Sequence, residues 1–110
     1  YPADGITKPE NVIYEIKNLA NPKVRKLTQI AGQYDGIAFA ANGKSLFITN
    51  WTPAQLSRVS LVDGSITAVN LDLDKSLVGP ADITVHNGYI YIPDLPSSRV
   101  VIVEEPKCNP

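Results

Sequence analysis

Four acid or amide side chains stand at the edges of short apolar runs, and their placement recurs. Asp35 in "YDGI" and Asp82 in "PADI" come just before such runs, while Asn50 in "FITN" and Asp94 in "YIPD" close the runs that follow. Oxygen ligands grouped this way suit a hard cation such as calcium, which collects carboxylates and carbonyls from neighbouring segments. The same residue types also cap turns by accepting hydrogen bonds from nearby backbone N–H groups. Both readings apply to Asp35 and Asp82; for Asn50 and Asp94 the recurrence favours a turn role. Tyr34 and Trp51 flank these positions. Their ring faces suit stacking on a sugar, but packing between layers is the favoured reading.

Other reactive groups are sparse. His86 is the single histidine, so a Ser-His-Asp triad or a histidine-based zinc site would have to be built around one imidazole, which argues against both. His86 sits beside the turn "HNG" and is expected to face solvent; a general-base role would need a neighbouring acid and a pocket. Arg58 and Arg99 sit in similar "SRV" contexts, and a structural pairing between layers is expected of them. The one cysteine, Cys108 in "PKCNP", has no internal partner and leaves either a tail thiol or a bond to another chain. "NWT" at 50–52 matches the glycosylation pattern, with Pro53 directly after it.

The 110 residues suffice for one domain with a modest core. Hydrophobic residues make up 44% and charged residues 19%, a globular balance that argues against disorder. A net charge of −1 offers no basic excess for phosphates, so no nucleic-acid partner is expected. No apolar run approaches the roughly 18 residues of a membrane helix, and no membrane association is expected. The opening "YPADGITKPEN" lacks the basic start and apolar stretch of a signal peptide. It would suit a mature exported chain or a piece of a longer one, and a secreted or periplasmic location is favoured.

The elements that position these residues read as strands. Short apolar runs alternate with turn signals: "GIAFA" with "ANGK", "SRVSLV" with "DGS", "DITV" with "HNG". Asn-Gly and Asp-Gly accept the positive φ of tight hairpin turns. "NVIYEIKNLANPKVRKL" has some helical spacing, but Pro22 interrupts it and "VIYEI" alternates with period two. The fold class expected is all-β, with antiparallel meanders.

The meander repeats. "YDGIAFAANG" aligns with "PADITVHNG", "LFITN" with "IYIPD" and "LSRVSLV" with "SSRVVIV", at offsets of about 46, 44 and 41 residues. A period near 40–50 built of four strands is the signature of a β-propeller blade, and a sandwich of unrelated hairpins is the alternative. Residues 34–41, 45–51, 57–62 and 65–73 would be the four strands of one blade, within residues 34–74. Residues 80–86, 89–94 and 98–104 would be three strands of the next, within 79–105. The first 33 residues would hold the outer strands of a preceding blade, with Asp4-Gly5-Ile6 echoing Asp35-Gly36-Ile37. A propeller closes with about four to eight blades, so copies of the chain or further blades are expected as partners.

"PADITVHNGYIYIPDLPSSRVVIV" resembles an NHL repeat, and "DGIAFAANGKSLFITN" is similar to blades of the senescence-marker/gluconolactonase family. The resemblance spans about residues 34–104 and implies a six-bladed propeller. It also implies a divalent cation, usually calcium, at the central channel, held in part by an acid or amide just before an innermost strand. Asp35 matches that step, whereas the next blade has Ala81 there and Asp82 one place later. The function expected is a ligand-binding propeller module presenting loops and a channel mouth to a small molecule or sugar. The alternatives are a metal-dependent hydrolase of lactones or esters, and a structural piece of a larger propeller without its own activity.

Overall fold

The structure is a computed structural model and describes residues 10–51 and 53–106. The Asp4-Gly5-Ile6 echo, Thr52 of the glycosylation pattern and Cys108 lie outside the described residues. Nine strands follow in order: β1 (Glu10–Lys17), β2 (Lys23–Ala31), β3 (Tyr34–Phe39), β4 (Ser45–Asn50), β5 (Gln55–Ser60), β6 (Ile66–Val69), β7 (Thr84–His86), β8 (Tyr89–Asp94) and β9 (Arg99–Glu104). They form an N-terminal hairpin β1–β2, a central meander β3–β4–β5–β6 and a C-terminal meander β7–β8–β9, all antiparallel. The class is all-β, in the arrangement of a partial propeller. One turn of 3₁₀ helix, Leu95–Ser97, links β8 to β9. No helix among the described residues is long and apolar enough to cross a membrane.

Turn chemistry explains the meanders. Asn87 and Gly88 both take positive φ, 50° and 81°, and His86 pairs directly with Tyr89 across them. That is the two-residue turn whose twist suits a hairpin. Between β5 and β6 the Asp63 carboxylate accepts the Ser65 N–H at 2.9 Å, while Gly64 takes φ +74°.

Packing sets the sheets face to face. All six residues of β4, "SLFITN", are buried. Period two sends Leu46 and Ile48 to one side, where they meet Leu27 of the hairpin and Val59. It sends Phe47 to the other, where Ala40 and Leu56 join Ile83, Ile90, Ile92 and Val101 of the C-terminal meander. The central sheet is therefore covered on both faces. The first strands of the two meanders, β3 and β7, come together, and the sheets fan out from that line. Where the hairpin has no inner strands, an apolar groove of about 280 Å³ lies between β1 and the exposed Ile37 and Phe39 of β3.

The two meanders share their pairing geometry. Asn50 pairs with Gln55 and Ser45 with Ser60; 44 residues later, Asp94 pairs with Arg99 and Tyr89 with Glu104. Tyr34 faces Asn50 as Pro80 bridges to Asp94. This register corrects the alignment of Arg58 with Arg99. Arg99 corresponds to Gln55 and points towards the central sheet, whereas Arg58 pairs with Phe47 and points towards the C-terminal sheet. An offset wrong by three residues, an odd number, turns a side chain to the opposite face. The "SRV" identity misled because the connections at 51–54 and 95–98 have equal length, leaving no room for that gap.

Candidate functional site

The rim where β3 and β7 begin holds most of the residues singled out above. It exists because the chain approaches itself closely there. A Cβ on Gly36 would lie 2.8 Å from the backbone Cα and C of Asp82 and 2.8 Å from Thr49 Oγ1. Only glycine lets the two backbones come this near. Its N–H is satisfied by Thr49 Oγ1 at 2.9 Å, and Thr49 is fully buried. The contact brings Asp35 and Asp82, both exposed, to one rim although 47 positions separate them. Asp82 Oδ1 accepts the N–H of its neighbour Ile83 at 2.8 Å, which fixes one oxygen of the exposed side chain.

Asn50 and Asp94 stand one layer below, at matched positions, and both are buried. Asn50 Oδ1 accepts the Gln33 N–H at 2.7 Å, and its Nδ2 donates to the Pro53 carbonyl at 3.0 Å. Asp94 Oδ1 accepts the Gly79 N–H at 2.8 Å; Oδ2 accepts from Ser97 Oγ at 2.8 Å and Arg99 Nε at 3.2 Å; the Val78 N–H is 3.2 Å from both oxygens. Each side chain thus ties the segment before the first strand of its meander to the end of the second. Burial alone pushes the Asp94 carboxyl up. The donors from Gly79, Ser97, Val78 and Arg99 together outweigh it and hold the group below the ordinary 3.8. Arg99 completes the knot by donating Nη2 to the carbonyls of Lys75 and Ser76.

The aromatic candidates separate. Tyr34 is packed against the Leu27–Leu46–Ile48–Val59 cluster, with its hydroxyl hydrogen-bonded to Ser57. Burial pushes that hydroxyl up, with the Ser57 bond acting against it. Trp51 is 36% exposed, and its backbone N–H donates to the Gln33 carbonyl at 2.9 Å. His86 is exposed beside its turn, away from the rim. Tyr34 therefore belongs to the packing, and Trp51 is the more exposed of the two rings.

Two residues escaped the reading of the sequence: Gln33 is buried at the base of the rim, and Thr49 supplies the hydroxyl that seats Gly36. Arg58, for which a pairing between layers is expected from the sequence, lies over the Phe47 ring, 5.1 Å from its centroid, and donates Nη2 to the Pro106 carbonyl at 2.7 Å beside a cleft of about 400 Å³. For Arg58 the signal was the phase of β5 against β4, which sets it on the Phe47 side.

The cation implied by the resemblance can be tested against these donors. Calcium takes six to eight oxygens. Among the described residues no group of three or more His, Cys, Asp or Glu side chains gathers in one place. Asp35 and Asp82 supply two carboxylates at the rim, which is part of a ligand set and not a whole one. No family model matches the chain, and no curated protein matches it.

Proposed function

We propose that the chain is a ligand-binding module of the NHL/gluconolactonase-like propeller type, two and a half blades in extent, that presents a rim at β3 and β7 to its ligand. The observation that carries this reading is the approach of Gly36 to Asp82, which brings two exposed acidic residues, Asp35 and Asp82, to where the first strands meet. First strands line the axis of a propeller, and loops on a rigid scaffold are where binding residues concentrate. The matched registers of the two meanders support reading them as successive blades.

The test is a titration of the isotope-labelled chain with calcium chloride, and separately with glucose, followed by NMR. For calcium, shifts centred on Asp35, Gly36 and Asp82 are expected, with a dissociation constant on the order of millimolar given an incomplete ligand set. They should vanish in Asp35→Ala and persist in His86→Ala. For glucose, shifts are expected at the Trp51 indole. Silence at the rim with both probes refutes the reading.

A further inference from the structure

The outward face of the C-terminal sheet is apolar and bare. Tyr89, Val100 and Ile102 are 43, 57 and 58% exposed. The matched registers say what this face is. Tyr91, Val100 and Ile102 occupy in the C-terminal sheet the places of Phe47, Leu56 and Arg58 in the central one. Phe47 and Leu56 are 0 and 1% exposed because the next sheet lies on them. Among the described residues, the same face one sheet further along has no such cover.

The outer face of the hairpin is likewise left uncovered by the described residues. In β1, Ile13 packs towards the central sheet, as does the ion pair of Glu15 with Arg25 at 3.0 Å, whose guanidinium reaches the Leu61 carbonyl. Alternation sends Tyr14 and Ile16 the opposite way, together with Val24, the partner of Ile16. These three are 60, 57 and 63% exposed, and Tyr14 and Ile16 also border the groove beside Ile37 and Phe39. Charged residues border both faces: Lys26 pairs with Tyr14 on the hairpin's outer face, which also carries Glu10 at its far end, and Glu104 pairs with Tyr89 on the outer face of the C-terminal sheet.

We propose that these two faces are partners: the N-terminal hairpin of a second copy of this chain covers the C-terminal sheet, head to tail. The stack has a direction, because its matched meanders turn the same side towards the preceding sheet. Its two ends are therefore different faces, and a head-to-tail, heterologous contact is the one that joins both. Val100 and Ile102 receive Tyr14 and Ile16 as Phe47 and Leu56 receive the C-terminal sheet. Lys26 meets Glu104 at the border, where opposite charges fix the register. The inference is independent of the ligand at the rim.

Sedimentation equilibrium of the whole 110-residue chain tests it. The average mass should rise with concentration. Ile102→Lys and Tyr14→Lys should each weaken association about tenfold or more, since each sets a charge in the apolar centre of the contact. An equimolar mixture of these two variants keeps one intact face of each kind. It should give a complex of two chains that grows no further, which also shows that both variants are folded. Wild-type chain that stays monomeric throughout overturns the proposal. So does a mixture that fails to pair, or association that Ile102→Lys abolishes and Tyr14→Lys leaves unchanged, because the occupant is then another surface or another protein.

Discussion

Removing the Asp94 carboxylate should cost the chain about 3 kcal/mol. The magnitude follows from who is left unpaired. The Gly79 N–H is buried and donates to Asp94 Oδ1, so Asp94→Ala strands it, at about 1–3 kcal/mol for a lost partner in the interior. The Val78 N–H lies on an exposed residue and Arg99 is 29% exposed, so water replaces much of what they lose. Closing up after the lost side chain at a fully buried position adds roughly 1 kcal/mol. Asp94→Asn keeps an acceptor of the same shape for Gly79 and should cost about 1 kcal/mol. Urea unfolding followed by circular dichroism reads the difference: with a slope of about 1–1.5 kcal/mol per molar, Asp94→Ala moves the midpoint by about 2 M. Acid supplies a second reading. The folded-state pKa of Asp94 lies below the ordinary 3.8, so the unfolded chain takes up this proton first as pH falls. The stability it contributes is complete above 3.8 and is lost as pH falls through 3.8 towards the folded-state value. Asp94→Asn should remove that part of the acid dependence. If Asp94→Ala costs less than about 0.5 kcal/mol, or Asp94→Asn as much as Asp94→Ala, the knot between β8 and the 78–79 segment is not holding the sheet as described.

Two further substitutions probe close approaches. Gly64→Ala should cost more than 2 kcal/mol by urea unfolding, because its Cβ would collide with the Leu27 carbonyl oxygen on top of the strain of φ +74°. Gly43→Ala has φ +69° but open space around it and should cost only about 1 kcal/mol; equal costs would show that the hairpin does not sit on the β5–β6 turn. Gly36→Ala should cost about 1–3 kcal/mol and shift the amide resonances of Asp82 and Ile83, and unmoved resonances would separate β3 from β7.

Strands were the legible part of this molecule, since turn residues and period two are local signals. Asn87-Gly88 marked its hairpin because two successive positive φ values suit few other pairs. Ends of strands were less legible. The last strand of the central sheet, expected over 65–73, stops at Val69, because Leu71, Leu73 and Leu77 turn in from the loop to cover the Phe47 cluster. The strand expected over 80–86 is regular only from Thr84. Pro80 has no N–H for a ladder, and Asp82 spends a carboxylate oxygen on the next backbone N–H. At the site, types and positions were legible and surroundings were not. Asn50 and Asp94 were recognisable as recurrent, but their partners Gln33 and Gly79 come from segments with no motif. The contact of Gly36 with Asp82 depends on how two sheets meet, which no local pattern encodes.

The contrast between β4 and β8 carries the same physics to the open end of the stack. Both strands are the second of a meander, in matched register, yet one reads "SLFITN" and the other "YIYIPD". At the positions facing the preceding sheet they agree: Leu46 and Ile48 against Ile90 and Ile92, all buried. At the positions facing the following sheet they differ: Ser45, Phe47 and Thr49 against Tyr89, Tyr91 and Pro93. Phe47 sits under a closed interface and has no polar atom to satisfy. Tyr89 and Tyr91 bring rings of similar area with a hydroxyl on the far end, which needs water or a partner beyond the sheet. Proline at 93 gives up an N–H that a ladder to β7 would otherwise use, at a place where β7 has not yet begun. The face is therefore built for a wetter contact than the one inside the chain, with its apolar area in the rings and in Val100 and Ile102. Such a surface is suited to a cover that leaves water at the ring hydroxyls, whereas the Phe47 face is suited to a dry one.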